Sequence, residues 1–135
     1  VNKLSRSGCA PWEDDIAADW FINLMEKTGL PDCAAATLQQ PFFGDDGDCV
    51  TASEIRAASF LLICLGRTSI WPTSRKVEQL ELSINKMESC IDIEEDERVK
   101  DVMRLELQML TLLRDRDIEK QRNLFGTLWL KWLNG

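Results

Sequence analysis

With no histidine among the 135 residues, paired carboxylates are the side chains whose spacing offers acid–base chemistry. Asp14 with Asp15, or Glu94 with Glu97, could supply a general acid and base or hold a divalent cation. Each pair also stands where a helix would begin, and no second feature singles either out, so no catalytic residue is assigned. Ser-His-Asp and Cys-His catalysis are excluded, since both need an imidazole to take the nucleophile's proton. Every pair of the five cysteines, Cys9, Cys33, Cys49, Cys64 and Cys90, is more than ten residues apart, which excludes a local Cys-x-x-Cys zinc ligand pair. The sequence has neither a Gly-rich phosphate loop nor a Walker lysine motif. Asp45, Asp46, Gly47 and Asp48 followed by Glu54 look like a calcium loop. A 12-residue loop ending at Glu54 would nevertheless start on Phe43 and put Asp48 where the sharp turn needs glycine. The segment reads instead as a polar turn, and no metal or cofactor is expected.

Charge narrows the partners. The chain carries 16 basic and 23 acidic side chains, a net −7 that hardly changes across neutral pH without histidine. A phosphate backbone is bound by Lys and Arg that displace counterions, so nucleic acid is a poor partner and a basic protein a good one. Residues 1–50 hold three basic and nine acidic side chains, net −6, and the remainder 13 and 14, net −1. Asp45, Asp46 and Asp48 form one acidic cluster. Asp92, Glu94, Glu95, Asp96 and Glu97 form a second, five carboxylates in six residues.

An odd number of cysteines at long irregular spacings argues against a secreted disulfide framework, and Cys64 within Ser59–Leu65 reads as a small buried hydrophobe. No signal peptide is visible, and no apolar run approaches the ~20 residues that span a bilayer. The expected location is the cytoplasm, with no membrane contact.

The elements that must position these residues are helices, and an all-α, single-domain bundle of about six is expected over residues 1–135, with residues 1–10 as a flexible lead. Helix one spans about Glu13 to Lys27, its core stripe running through Ile16, Ala17, Trp20, Phe21, Leu24 and Met25, and Gly29-Leu30-Pro31 ends it. A short helix follows from Asp32 to Gln40. Thr51-Ala52-Ser53-Glu54 has the form of a capping box, opening a third helix that is apolar on nearly all sides to Leu65 and therefore central, with Gly66 as its stop. A fourth from Pro72 to about Cys90 carries Val77, Leu80, Ile84 and Met87. A fifth, from about Glu94 to Arg114, has acidic residues leading and arginine following, the order the helix dipole favours. The sixth, from about Ile118 to Leu133, bears Leu124, Phe125, Leu128, Trp129, Trp132 and Leu133. Trp12, Trp20, Trp71, Trp129 and Trp132 are a heavy load for this length. Trp20 is expected in the core, and Trp132 is the tryptophan expected to be partly exposed.

Ala10 to Trp20, read as Ala-Pro-Trp-Glu-Asp-Asp-Ile-Ala-Ala-Asp-Trp, resembles the opening of a family of small, mostly bacterial proteins known only as a domain of unknown function. Its members typically read Gly-Pro-Phe-Glu-Asn-Asp-Asp-Ala-x-Asp-Trp. Pro11, Glu13, Asp15, Ala17, Asp19 and Trp20 match, while Trp12, Asp14 and Ile16 depart from the pattern. Ala52-x-Glu54-x-x-Ala57-Ala58 resembles the same family's Ala-Ala-Glu helix start. The resemblance implies a helical domain with no established catalytic residues, in which Asp19 caps or pairs and Trp20 packs.

Two functions fit these residues. One is a non-catalytic protein that neutralises a basic partner, most concretely a bacterial immunity protein against a nuclease-type toxin. Its expected contacts are Asp45, Asp46, Asp48, Asp92, Glu94, Glu95, Asp96 and Glu97, because complementary charge speeds association and selects partners. The other is a structural or regulatory domain that self-associates or docks through its Trp-bearing last helix.

Overall fold

The computed structural model describes residues 14–42, 49–66 and 71–134. The expected flexible lead, Trp12 and the acidic cluster Asp45, Asp46 and Asp48 lie outside the described residues. Within them the chain is all-α, six helices with no strand: α1 (Asp15–Thr28), α2 (Leu30–Gln39), α3 (Cys49–Leu65), α4 (Thr73–Ile93), α5 (Glu97–Asp115) and α6 (Ile118–Asn134).

Local chemistry sets the helix ends. Asp14 caps α1, its Oδ1 accepting from the backbone N–H groups of Ile16 at 2.9 Å and Ala17 at 3.3 Å. Gly29 then takes φ +62°, a left-handed conformation, so one residue ends α1 and starts α2. Pro31 falls in the first turn of α2, where a missing N–H costs nothing. At the end of α3, Gly66 donates its N–H to the Leu62 carbonyl at 2.7 Å, and a Cβ at this position would stand 2.4 Å from that oxygen. The capping box is corrected here: α3 already starts at Cys49, which puts Thr51 and Glu54 inside the helix. Glu54 instead accepts from the side-chain amide of Gln40 at 3.1 Å.

The acidic run is divided between two elements, since α4 continues three residues past Cys90 and Asp96 caps α5, accepting from the Arg98 N–H at 2.9 Å. At the far end of α5, Arg116 adopts φ 58° and the buried Gln121 donates its side-chain amide to the Leu112 carbonyl at 2.9 Å.

Helices α3, α4 and α5 touch one another and form the centre; α2 lies on α3 and α4, α6 on α5, and, among the described helices, α1 touches α2 alone. The core between them holds Leu38, Ile55, Leu62, Ile63, Trp71, Leu80, Met87, Met109, Leu110 and Leu128. Two buried polar links tie its layers together. Ser59 and Ser83 share a 2.6 Å hydrogen bond between α3 and α4. Trp71 donates its indole N–H to Gln79 at 2.6 Å, and the Gln79 amide donates in turn to the Pro31 carbonyl at 3.3 Å.

The outer helices depart from expectation in one respect. On α1 the stripe Ile16, Trp20 and Leu24 is exposed, with Trp20 61% accessible, and Met25 is the residue the helix buries. Helix α1 is apolar on two adjoining stripes and has one neighbour among the described helices, so only the stripe running through Met25 finds cover there.

Candidate functional site

The most developed surface feature grows from a charged residue in an apolar row. Along α5 the positions 99, 102, 103, 106, 109, 110 and 113 recur at helical spacing, and all are apolar except Glu106. Its side chain is 5% exposed, so the carboxylate needs partners. Arg56 on α3 supplies a two-pronged one, donating Nε to Oε1 at 2.8 Å and Nη2 to Oε2 at 2.7 Å. Trp132 on α6 supplies the third, its indole N–H donating to Oε2 at 2.8 Å. The hydrogen bonds that Arg56 donates to Glu106 raise the Arg56 pKa above its ordinary value; burial opposes them, and the negative charges of Glu106 and Glu94 add to the rise. One carboxylate thereby fixes the relative positions of three helices. The neighbouring Cys90 thiol, buried at the end of α4, is pushed up to about 11 by desolvation and suits packing rather than nucleophilic chemistry.

Aromatic rings cover this cluster. Phe60 meets Trp132 edge to face with centroids 5.1 Å apart, Trp129 meets Trp132 at 6.2 Å, and Phe125 stacks on Trp129 at 6.4 Å. Between α3, α5 and α6 they leave a hollow of about 490 Å³, with Phe60, Trp129 and Trp132 as its apolar lining and Arg56 and Glu106 as its polar one. A second hollow of about 210 Å³ adjoins it, sharing Arg56 and Trp132 and adding Arg98, Lys131, Val99 and Val102. The first is aromatic and the second is rimmed by three cations.

Helix α6 presents a further apolar face beside the hollows. Leu128 is fully buried against α5, whereas Trp129, Leu130 and Leu133 are 46%, 59% and 65% exposed. Trp132 is half-buried as expected, but Trp129 is the more open ring.

The predicted contact residues of the second acidic cluster stand elsewhere. Asp92, Glu95, Asp96 and Glu97 are exposed at the α4–α5 turn and Glu94 is half-buried. Two of the five serve the turn itself, Asp96 as cap and Glu94 by accepting from the Asp96 N–H at 3.2 Å, and Glu97 pairs with Lys100 within the first turn of α5 at 4.0 Å. The Arg98 backbone N–H holds the Asp96 carboxyl below its ordinary 3.8, with the Arg98 charge adding to the effect. A carboxylate with a lowered pKa stabilises the folded chain above its unfolded value, and that contribution fades as pH falls through the lowered one. Asp96→Ala is therefore expected to reduce the urea midpoint at neutral pH, with the deficit closing in acid as both proteins are titrated.

Of the two carboxylate pairs weighed for chemistry, Asp14 caps α1, Glu94 belongs to the turn and Glu97 to the first turn of α5. Among the described residues no group of three or more Cys, Asp or Glu side chains is placed to hold a metal ion, and no helix is long and apolar enough to cross a membrane. Compared with family models, curated proteins and solved structures, the chain matches none. Fold and site together define a small helical domain with an aromatic, partly cationic groove at the open side of its last helix.

Proposed function

We propose that the protein acts by binding another protein, without catalysis, and that the groove between α3, α5 and α6 is its contact surface. The observation that carries this reading is the second apolar face of α6. Trp129, which lines the aromatic hollow, is exposed together with Leu130 and Leu133 of the same helix, while Leu128 is spent on the bundle. Contiguous exposed apolar surface with a polar rim marks interaction sites, and tryptophan and arginine are the side chains most often found at binding hot spots. The Glu106 cluster supports the same reading, because it holds Trp132 and Arg56 in fixed positions, and a rigid anchor loses little entropy on binding.

A second reading is favoured by the α4–α5 turn, where exposed carboxylates at Asp92, Glu95, Asp96 and Glu97 give a compact acidic patch. On that reading the protein is a cytoplasmic immunity protein that neutralises a basic toxin domain. Capture from the host with three baits separates the two. If the groove is the surface, Trp129→Asp loses a stoichiometric partner that both the parent and the double variant Asp92→Lys with Glu95→Lys retain. Loss with the turn variant alone would transfer the assignment to the acidic patch.

A further inference from the structure

We infer that the groove takes helix α1 of a second copy of this chain, in a reciprocal pair. The inference rests on the groove being a contact surface and adds what occupies it. Among the described residues, α6 and α1 each expose three or more large apolar side chains. The α1 face, Ile16, Trp20 and Leu24 at successive turns, has the i, i+4, i+8 anchors of a helix that lies in a groove. The charge on helix α1 is also opposite to the charge lining the two hollows. From Asp14 to Thr28 the acidic residues Asp14, Asp15, Asp19 and Glu26 face one basic residue, Lys27. The lining of the two hollows holds three basic residues, Arg56, Arg98 and Lys131, against one acidic residue, Glu106.

Helix α1 carries a side chain suited to each hollow. The larger one, walled by Phe60, Trp129 and Trp132, is large enough for an indole ring, and Trp20 is the largest exposed side chain on α1. Asp19 stands next to Trp20 in sequence and is exposed, as the smaller hollow with Arg98 and Lys131 stands next to the larger across Trp132. A tryptophan with an aspartate beside it is the occupant this pair of hollows fits. In a two-fold pair each copy offers its α1 and its groove once, so two equal contacts form and the assembly closes.

Light scattering on the purified full chain during size-exclusion chromatography, at a series of concentrations, tests the inference. The expected mass is that of two chains. Trp20→Ser, at an exposed position, is expected to raise the dissociation constant at least about tenfold, and Asp19→Lys or Lys131→Glu also weakens the pair. Asp19→Lys combined with Lys131→Glu restores most of the loss, which a fold defect would not do. Circular dichroism should show the same helix content in every variant. A single-chain mass throughout, an assembly larger than two, or a pair indifferent to Trp20→Ser would overturn the inference. If Trp129→Asp dissociates the pair and Trp20→Ser does not, the occupant is wrong and the groove stands. If neither dissociates it, and the host partner also ignores Trp129→Asp, the groove reading fails too.

Discussion

Arg56→Ala is expected to destabilise the bundle by about 3 kcal/mol, more than any other single change at the surface. The variant leaves the Glu106 carboxylate 5% exposed with the Trp132 indole as its remaining partner, and breaking a buried pair from one side typically costs 3–5 kcal/mol. The lower end applies because the Arg56 side chain is 34% exposed and water can reach part of the gap. The control is Arg56→Ala with Glu106→Leu, which turns the apolar row of α5 into an unbroken one. That double variant should recover most of the stability, since a buried ion pair replaced by apolar groups is often neutral or stabilising. Urea unfolding with linear extrapolation measures both. Equal losses in the single and double variants would mean that the arginine stem, not the charge, does the stabilising.

Trp71→Ala is expected to cost about 4 kcal/mol, a large part of the total stability of a domain this size. Trp71 is fully buried, and its truncation opens a cavity at the start of α4 while removing the donor that satisfies Gln79. Trp71→Phe separates these effects. It keeps most of the ring volume and should cost about 2 kcal/mol, largely the unpaired Gln79 oxygen. If Trp71→Phe were neutral, the hydrogen bond from Trp71 through Gln79 to the Pro31 carbonyl would carry no weight in joining α2 to α4.

Helix existence and order were legible in the sequence because the signals are local. Gly29, Pro31, Gly66 and the acidic start of α5 act within one turn of where they stand, and the six elements appear where their periodicity puts them. Which face of a helix becomes core is a tertiary outcome. Helix α1 carries two adjoining apolar stripes, one through Met25 and one through Trp20, and periodicity cannot choose between them; its single neighbour among the described helices, α2, decides. Helix α6 repeats the ambiguity with Leu128 and Leu130. The acidic turn was legible as a charge run, but its use in capping and turn hydrogen bonds was not, since Asp96 caps a helix that starts three residues later than the charges suggested.

Glu106 could have been found. A lone carboxylate in a row otherwise made of Val99, Val102, Met103, Met109, Leu110 and Leu113 cannot be buried without partners, which makes it the most informative residue of α5. Arg56 could not be matched to it in advance, because the pair is 50 residues apart and only the packing of α3 on α5 brings them together. The same packing assembles the groove, whose residues come from three helices and share no motif.

Fluorine NMR of the chain labelled with 5-fluorotryptophan, followed from dilute to concentrated solution, tests the central claim most directly, with each resonance assigned by substitution. The account predicts that the Trp129 and Trp132 signals, and with them Trp20, move together as the groove fills, while the fully buried Trp71 stays fixed. Groove signals that hold still across the series, and again when a stoichiometric host partner is added, would contradict it.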